Sequence, residues 1–85
     1  MTTNMYHYPI DIQWDTFRIG ETIRELRNSL NLSQQILAEM IGVDVKTIGR
    51  WERGDIDFAG VPVGKVVLLA VALNADVKTI LNYPG

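Results

Sequence analysis

Residues 33–54, SQQILAEMIGVDVKTIGRWERG, constrain the fold more than any other part of this chain. Ser33 is a good helix N-cap, because its hydroxyl accepts from the free backbone N–H groups of a first turn. Leu37, Ala38 and Ile41 follow at helical spacing, which predicts a helix over about 34–41. Gly42 suits the left-handed residue that ends a helix and turns the chain. Asp44 can cap a second helix over about 45–53. Ile48 and Trp51 would face inward, and Val45, Lys46, Gly49, Arg50 and Arg53 outward.

Eighty-five residues make one small domain. Such a chain buries only roughly 60–65% of the surface that its unfolded form exposes. There is no cysteine, so disulfides and thiolate metal sites are excluded as sources of stability. An apolar fraction of 47% is high for this size and argues for some exposed apolar surface, hence for an oligomer. The longest nearly apolar run, residues 61–73, contains Lys65 and is too short to span a bilayer. The N-terminal MTTNMYHYP has neither a basic run nor a long apolar core, so secretion is not expected and a cytoplasmic location is. The formal net charge is −2, but six of the eight basic residues lie between Arg18 and Arg53. Glu21, Glu25, Glu39, Asp44 and Glu52 share that span. A basic face survives there if Glu21, Glu25 and Glu39 point elsewhere.

The chain divides into an N-terminal arm, residues 1–14, and a helical domain, residues 15–85. Within the arm, Tyr6, Tyr8, Ile10, Ile12 and Trp14 alternate with His7, Pro9, Asp11 and Gln13, the period of an extended strand. Pro9 cannot donate to a ladder, so this is an edge strand or a free arm. It either pairs with its copy in a second subunit or lies across the helices. Asp15 or Thr16 can cap a first helix that runs to about Leu30, with Ile19, Ile23, Leu26 and Leu30 on one stripe. Asn31 can end it in a left-handed conformation. After a loop over residues 54–60, Pro62 suits the first turn of a fourth helix ending near Leu73 and Asn74. That helix is apolar nearly all round. Asp76 can cap a short fifth helix over 77–81.

Two short helices with a tight turn and a basic outer face make a helix-turn-helix, which places its second helix in the DNA major groove. The residues around it extend the pattern. Residues 19–27, IGETIRELR, lead into Leu32-Ser33-Gln34, then Leu37-Ala38, Gly42-Val43, Thr47-Ile48, Trp51-Glu52-Arg53-Gly54, Leu73 and Ile80-Leu81. This pattern resembles the phage-repressor and Cro-type (Xre) helix-turn-helix family over residues 19–81. The resemblance implies an all-α fold, a lambda-repressor-like bundle of five helices, that binds operator DNA as a dimer. It implies that Val45, Lys46 and Arg50 meet base edges. Gln34 would contact phosphate and brace the recognition helix, with Thr47 and Arg53 near the DNA backbone. Arg27 and Glu52 match a partly buried salt bridge between the first and third helices.

The residue chemistry is compatible with these roles. Lys46, Arg50 and Arg53 are spaced i, i+4, i+7 and line one helix face. A bidentate arginine–guanine contact contributes about 1–3 kcal/mol of discrimination. Val45 offers only apolar contact, as to a thymine methyl. Gly49 costs roughly 1 kcal/mol relative to alanine in a helix interior, and on an outer face it would let the helix approach the DNA backbone. The alternative for the basic triplet is a solvated helix face. Trp51 reads as core, and His7 as a surface residue. Four features depart from the family pattern. Ile36 stands where a capping box would need a polar residue. Ile36 and Met40 share a face that is normally wet, which the arm would cover. Asp55 and Asp57 stand where relatives place cations or amides near phosphate, and the loop to Pro62 is long.

The expected function is a sequence-specific transcriptional regulator, a repressor acting as a homodimer on near-palindromic double-stranded DNA. The dimer would form through the fourth and fifth helices or the arm. The alternative is a protein-interaction module, such as the antitoxin of a toxin–antitoxin pair. The sequence has no paired nucleophile and base, no metal cluster and no phosphate-binding glycine loop. No enzyme activity, catalytic residue, metal or cofactor is expected.

Overall fold

Four left-handed residues punctuate the described part of the chain: Asn31 (φ 57°), Gly42 (φ 74°), Gly54 (φ 87°) and Asn74 (φ 55°). Between them, the computed structural model, which describes residues 15–57 and 60–81, is all-helical. The helices are α1 (Thr16–Ser29), α2 (Gln34–Ile41), α3 (Val45–Glu52), α4 (Val63–Ala72) and α5 (Val77–Leu81). The expected strand at residues 6–14 lies outside the described residues. None of these helices is long and apolar enough to cross a membrane.

The predicted caps form. Asp15 accepts from the Arg18 N–H at 3.1 Å, Ser33 from Ile36 at 3.0 Å, Asp44 from Lys46 at 2.7 Å and Asp76 from Thr79 at 2.8 Å. Each satisfies a first-turn donor that the helix itself leaves unpaired. The Asp76 bond favours the charged carboxylate and holds its pKa below the usual value. At the other ends, Leu32 N donates to Arg27 O at 3.0 Å, Asp55 N to Arg50 O at 2.9 Å and Ala75 N to Ala70 O at 3.0 Å. These are the closing bonds of the Schellman turn, which the left-handed residue before each donor makes possible.

Two local expectations need correction. Pro62 precedes α4 as its N-cap rather than occupying its first turn. The ring fixes only φ, and ψ here is 139°, which is extended. Leu30 is 41% exposed, so the apolar stripe of α1 stops at Leu26. Leu30 is the C-cap, where the chain already turns away through Asn31.

One core joins all five helices: Ile19 and Ile23 from α1, Leu37, Ala38 and Ile41 from α2, Ile48 and Trp51 from α3, Leu69 and Ala70 from α4, Leu73 at its end, and Ile80 from α5. The third helix packs against α1 and α2, α4 against α2 and α5, and α5 closes back onto α1. Trp51 is core, as expected. α4 buries Val66, Leu69 and Ala70 but leaves Val63, Val67, Leu68 and Val71 exposed. Lys65, on the same helix, donates from Nζ to the carbonyls of Ile41 at 3.0 Å and Gly42 at 3.2 Å. A cation at that helix end also meets the negative end of the α2 dipole.

The contact of α1 with α3 is set by Gly20. A Cβ built there would lie 2.5 Å from the Trp51 carbonyl oxygen and 2.7 Å from that of Glu52. The two backbones touch, and no side chain fits between them. Alanine would gain roughly 1 kcal/mol of helix propensity. The overlap falls on backbone that cannot swing aside, at an overpacking cost of about 1–3 kcal/mol or more. Gly20→Ala is expected to lower the urea unfolding midpoint; an unchanged or raised midpoint would mean that the helices separate freely.

Candidate nucleic-acid interface

The third helix is held by its one buried charge. Glu52 is 6% exposed, in a helix of eight residues whose other face is wet. Arg27 from α1 grips it with both arms of the guanidinium, Nε to Oε2 at 2.6 Å and Nη2 to Oε1 at 2.9 Å. Arg27 Nη1 also donates to the Leu32 carbonyl at 2.8 Å, tying in the turn before α2. Gln34 Nε2, from the first turn of α2, adds a bond to Glu52 Oε1 at 3.1 Å. The bidentate, charge-assisted geometry compensates for desolvation of the carboxylate. Hydrogen bonding to Glu52 raises the already high Arg27 pKa. Arg27 and Glu52 thus form the ion pair expected between the first and third helices.

Gln34, Val45, Lys46, Gly49, Arg50 and Arg53 line one shallow concavity of about 380 Å³. Arg50, Arg53 and Lys46 are exposed, and Val45 is half-buried against the core edge. Gly49 lies on the outer face, as expected, but is buried there. A Cβ there would meet Arg53 Nη1 at 3.4 Å and Gln34 Oε1 at 3.9 Å, so those two side chains cover it. Thr47 does not line this concavity. It lies with Arg50 on a neighbouring cleft between α3 and the start of α4.

Charges sort by position. Glu52 is neutralised inside by Arg27. Glu21 pairs with Arg18 on α1, and Glu39 accepts from Gln35 on α2 at 2.9 Å. None of these acids lines the α3 concavity. Asp55 behaves differently. Its Oδ2 lies 3.4 Å from Arg50 Nε, with both side chains largely exposed. The family pattern puts Asp55 near the DNA backbone, but this pairing is not legible in the sequence, because residues five apart do not face each other along a helix. The left-handed turn at Gly54 brings Asp55 back toward Arg50. Lys65 and Gly20 were likewise not anticipated as positioning residues.

Removing one partner of a buried pair leaves the other charge desolvated, at a cost of about 3–5 kcal/mol. Arg27→Met is expected to destabilise by about that much, and Arg27→Met/Glu52→Leu to recover most of it in urea unfolding. A single-variant loss below about 1 kcal/mol, the size of an exposed pair, would show that water reaches Glu52.

Comparison with known proteins places this geometry. A helix-turn-helix family profile matches residues 23–78, more than half of the chain. Control protein C.SmaI of Serratia marcescens is 37% identical over 67 residues, spanning 79% of this chain and 76% of that protein. The crystal structure of the restriction-modification controller protein C.AhdI from Aeromonas hydrophila is 33% identical, with a TM-score of 0.68 over 78% of this chain and 96% of that one. The P22 c2 repressor protein, solved in complex with a synthetic operator, is 30% identical, with a TM-score of 0.67 over 74% and 91% of the two chains. With its five helices, its α2–turn–α3 unit and its buried α1–α3 ion pair, the chain belongs to the Xre-type helix-turn-helix family, whose members are DNA-binding transcription regulators rather than enzymes.

Proposed function

We propose that this regulator acts in the cytoplasm as a homodimeric repressor on a near-palindromic operator, with α3 in the major groove of each half-site. Val45, Lys46 and Arg50 read base edges. Gln34, Thr47, Gly49 and Arg53 face the DNA backbone, with Gly49 acting as the floor beneath Gln34 and Arg53 rather than as a bare contact. The observation that carries this reading is the grouping of Gln34, Val45, Lys46, Gly49, Arg50 and Arg53 around one concavity. The N-terminus of α2 lies at its edge, and free N–H groups there favour a phosphate. Likeness to two controller proteins and an operator-bound repressor supports this reading over a protein-interaction module.

The second copy follows from charge. Three exposed cations on the α3 face give one subunit only a weak phosphate attraction, and pairing two subunits on one duplex multiplies it through effective concentration. Exposed Val63, Val67, Leu68 and Val71 on α4 support an interface there, with the arm as the other candidate.

Selection of bound duplexes from a random pool is expected to return two half-sites about one DNA turn, roughly 34 Å, apart. Sequences with no preference would defeat the repressor reading. Arg50→Ala should relax one base position, costing about 1–3 kcal/mol there, whereas Arg53→Ala should weaken all sequences alike and reduce the salt slope by about 1. Val71→Glu should lower the sedimenting mass if α4 is the interface. If only deletion of residues 1–13 does so, the arm holds the dimer.

A further inference from the structure

We propose that Asp55 is a specificity-determining residue that acts through Arg50, by holding its guanidinium for end-on base reading and withholding it from non-cognate phosphate. The inference rests on the base-reading role of Arg50 and deepens it.

Three observations lead there. Asp55 is fixed in space by backbone rather than by its side chain. Its N–H donates to the Arg50 carbonyl at 2.9 Å, and the left-handed Gly54 makes that turn possible. The carboxylate therefore stands at the end of α3, beside the residue that it engages. It engages one atom: Oδ2 lies 3.4 Å from Nε. Among the described residues nothing pairs with the terminal amino groups Nη1 and Nη2, and this end of the fork can make two parallel bonds to guanine O6 and N7. Finally, the cleft beside α3, which Arg50 also borders, is lined by both Asp55 and Asp57. Negative charge at that edge opposes phosphate approach wherever the base contact is missing.

The consequence separates affinity from specificity. On the cognate site, the Arg50–guanine contact forms with the side chain already oriented, so less rotamer freedom is lost. On other sequences, Arg50 must leave Asp55 to find a phosphate, and Asp55 repels the backbone. Removing the charge frees Arg50 for phosphate, which tightens non-specific binding and steepens its salt dependence by about one counterion. An exposed ion pair sets the scale of the loss, about two- to fivefold in discrimination.

The test compares wild type, Asp55→Asn, Asp55→Ala, Arg50→Ala and the double variant Arg50→Ala/Asp55→Asn. Selected duplexes carry single-base changes, and binding is measured over a salt series. Asp55 is exposed, so thermal unfolding should be nearly unchanged, which separates a positioning effect from misfolding. Asp55→Asn and Asp55→Ala are expected to lose discrimination at the base pair that Arg50→Ala relaxes, and to bind random DNA more tightly. The double variant should be no less selective there than Arg50→Ala alone. Full discrimination in both Asp55 variants, with Arg50→Ala still relaxing its position, overturns this inference and leaves base reading by Arg50 intact. If Arg50→Ala relaxes no position, base reading by Arg50 fails, and the role of Asp55 fails with it.

Discussion

Glu52 is the point on which the arrangement of the first three helices depends. A carboxylate buried to 6% exposure needs strong partners, and it takes them from both neighbouring helices, Arg27 on α1 and Gln34 on α2. The apolar core drives these helices together, but burial of apolar area is non-directional. Hydrogen bonds to a fixed carboxylate have direction, and they select one orientation of α3 among those that the core would tolerate. Gly20 acts at the same place. By bringing α1 against the carbonyls of Trp51 and Glu52, it sets how closely the helices approach. Lys65 secures the opposite end of α2, where the turn into α3 begins.

The same arrangement resolves the charge problem. A net charge of −2 is poor for a protein that approaches DNA. Sorting matters more than the sum. The acid inside α3 is withdrawn into the core, and Glu21 and Glu39 are engaged on their own helices. Lys46, Arg50 and Arg53 remain on the outer face. Asp55 stays at its edge and engages Arg50. A face with so few cations gains little from phosphate in general. A second subunit on the same duplex would offset that through effective concentration.

Much of this was legible in the residues. Ser33, Asp44 and Asp76 mark helix starts, and Asn31, Gly42 and Asn74 mark helix ends, because each acts on backbone groups within a few positions of itself. Trp51 and Ile48 could be assigned to the core from periodicity alone. Six of the seven residues expected at the DNA surface come together around the concavity, because the spacing of α3 and the start of α2 largely dictates that grouping. Thr47 falls on the adjoining cleft. Gly49 faces outward as its spacing predicts, but its covering by Gln34 and Arg53 was not legible, because periodicity predicts which way a position points, not which long side chains fold over it. Leu30 was misplaced because a stripe continues on paper after the helix has ended.

Local hydrogen bonding and apolar periodicity, both properties of neighbouring residues, therefore let the sequence by itself determine where the helices begin and end and which face of each is buried. The Arg27–Glu52 pair came within reach only through likeness to a family, since nothing local links residues 25 positions apart. The tertiary structure alone decided that Gly20 lies on the backbone of α3 and that Lys65 caps a helix 24 residues earlier. Each depends on a distance through space, and that distance exists only once the helices have packed.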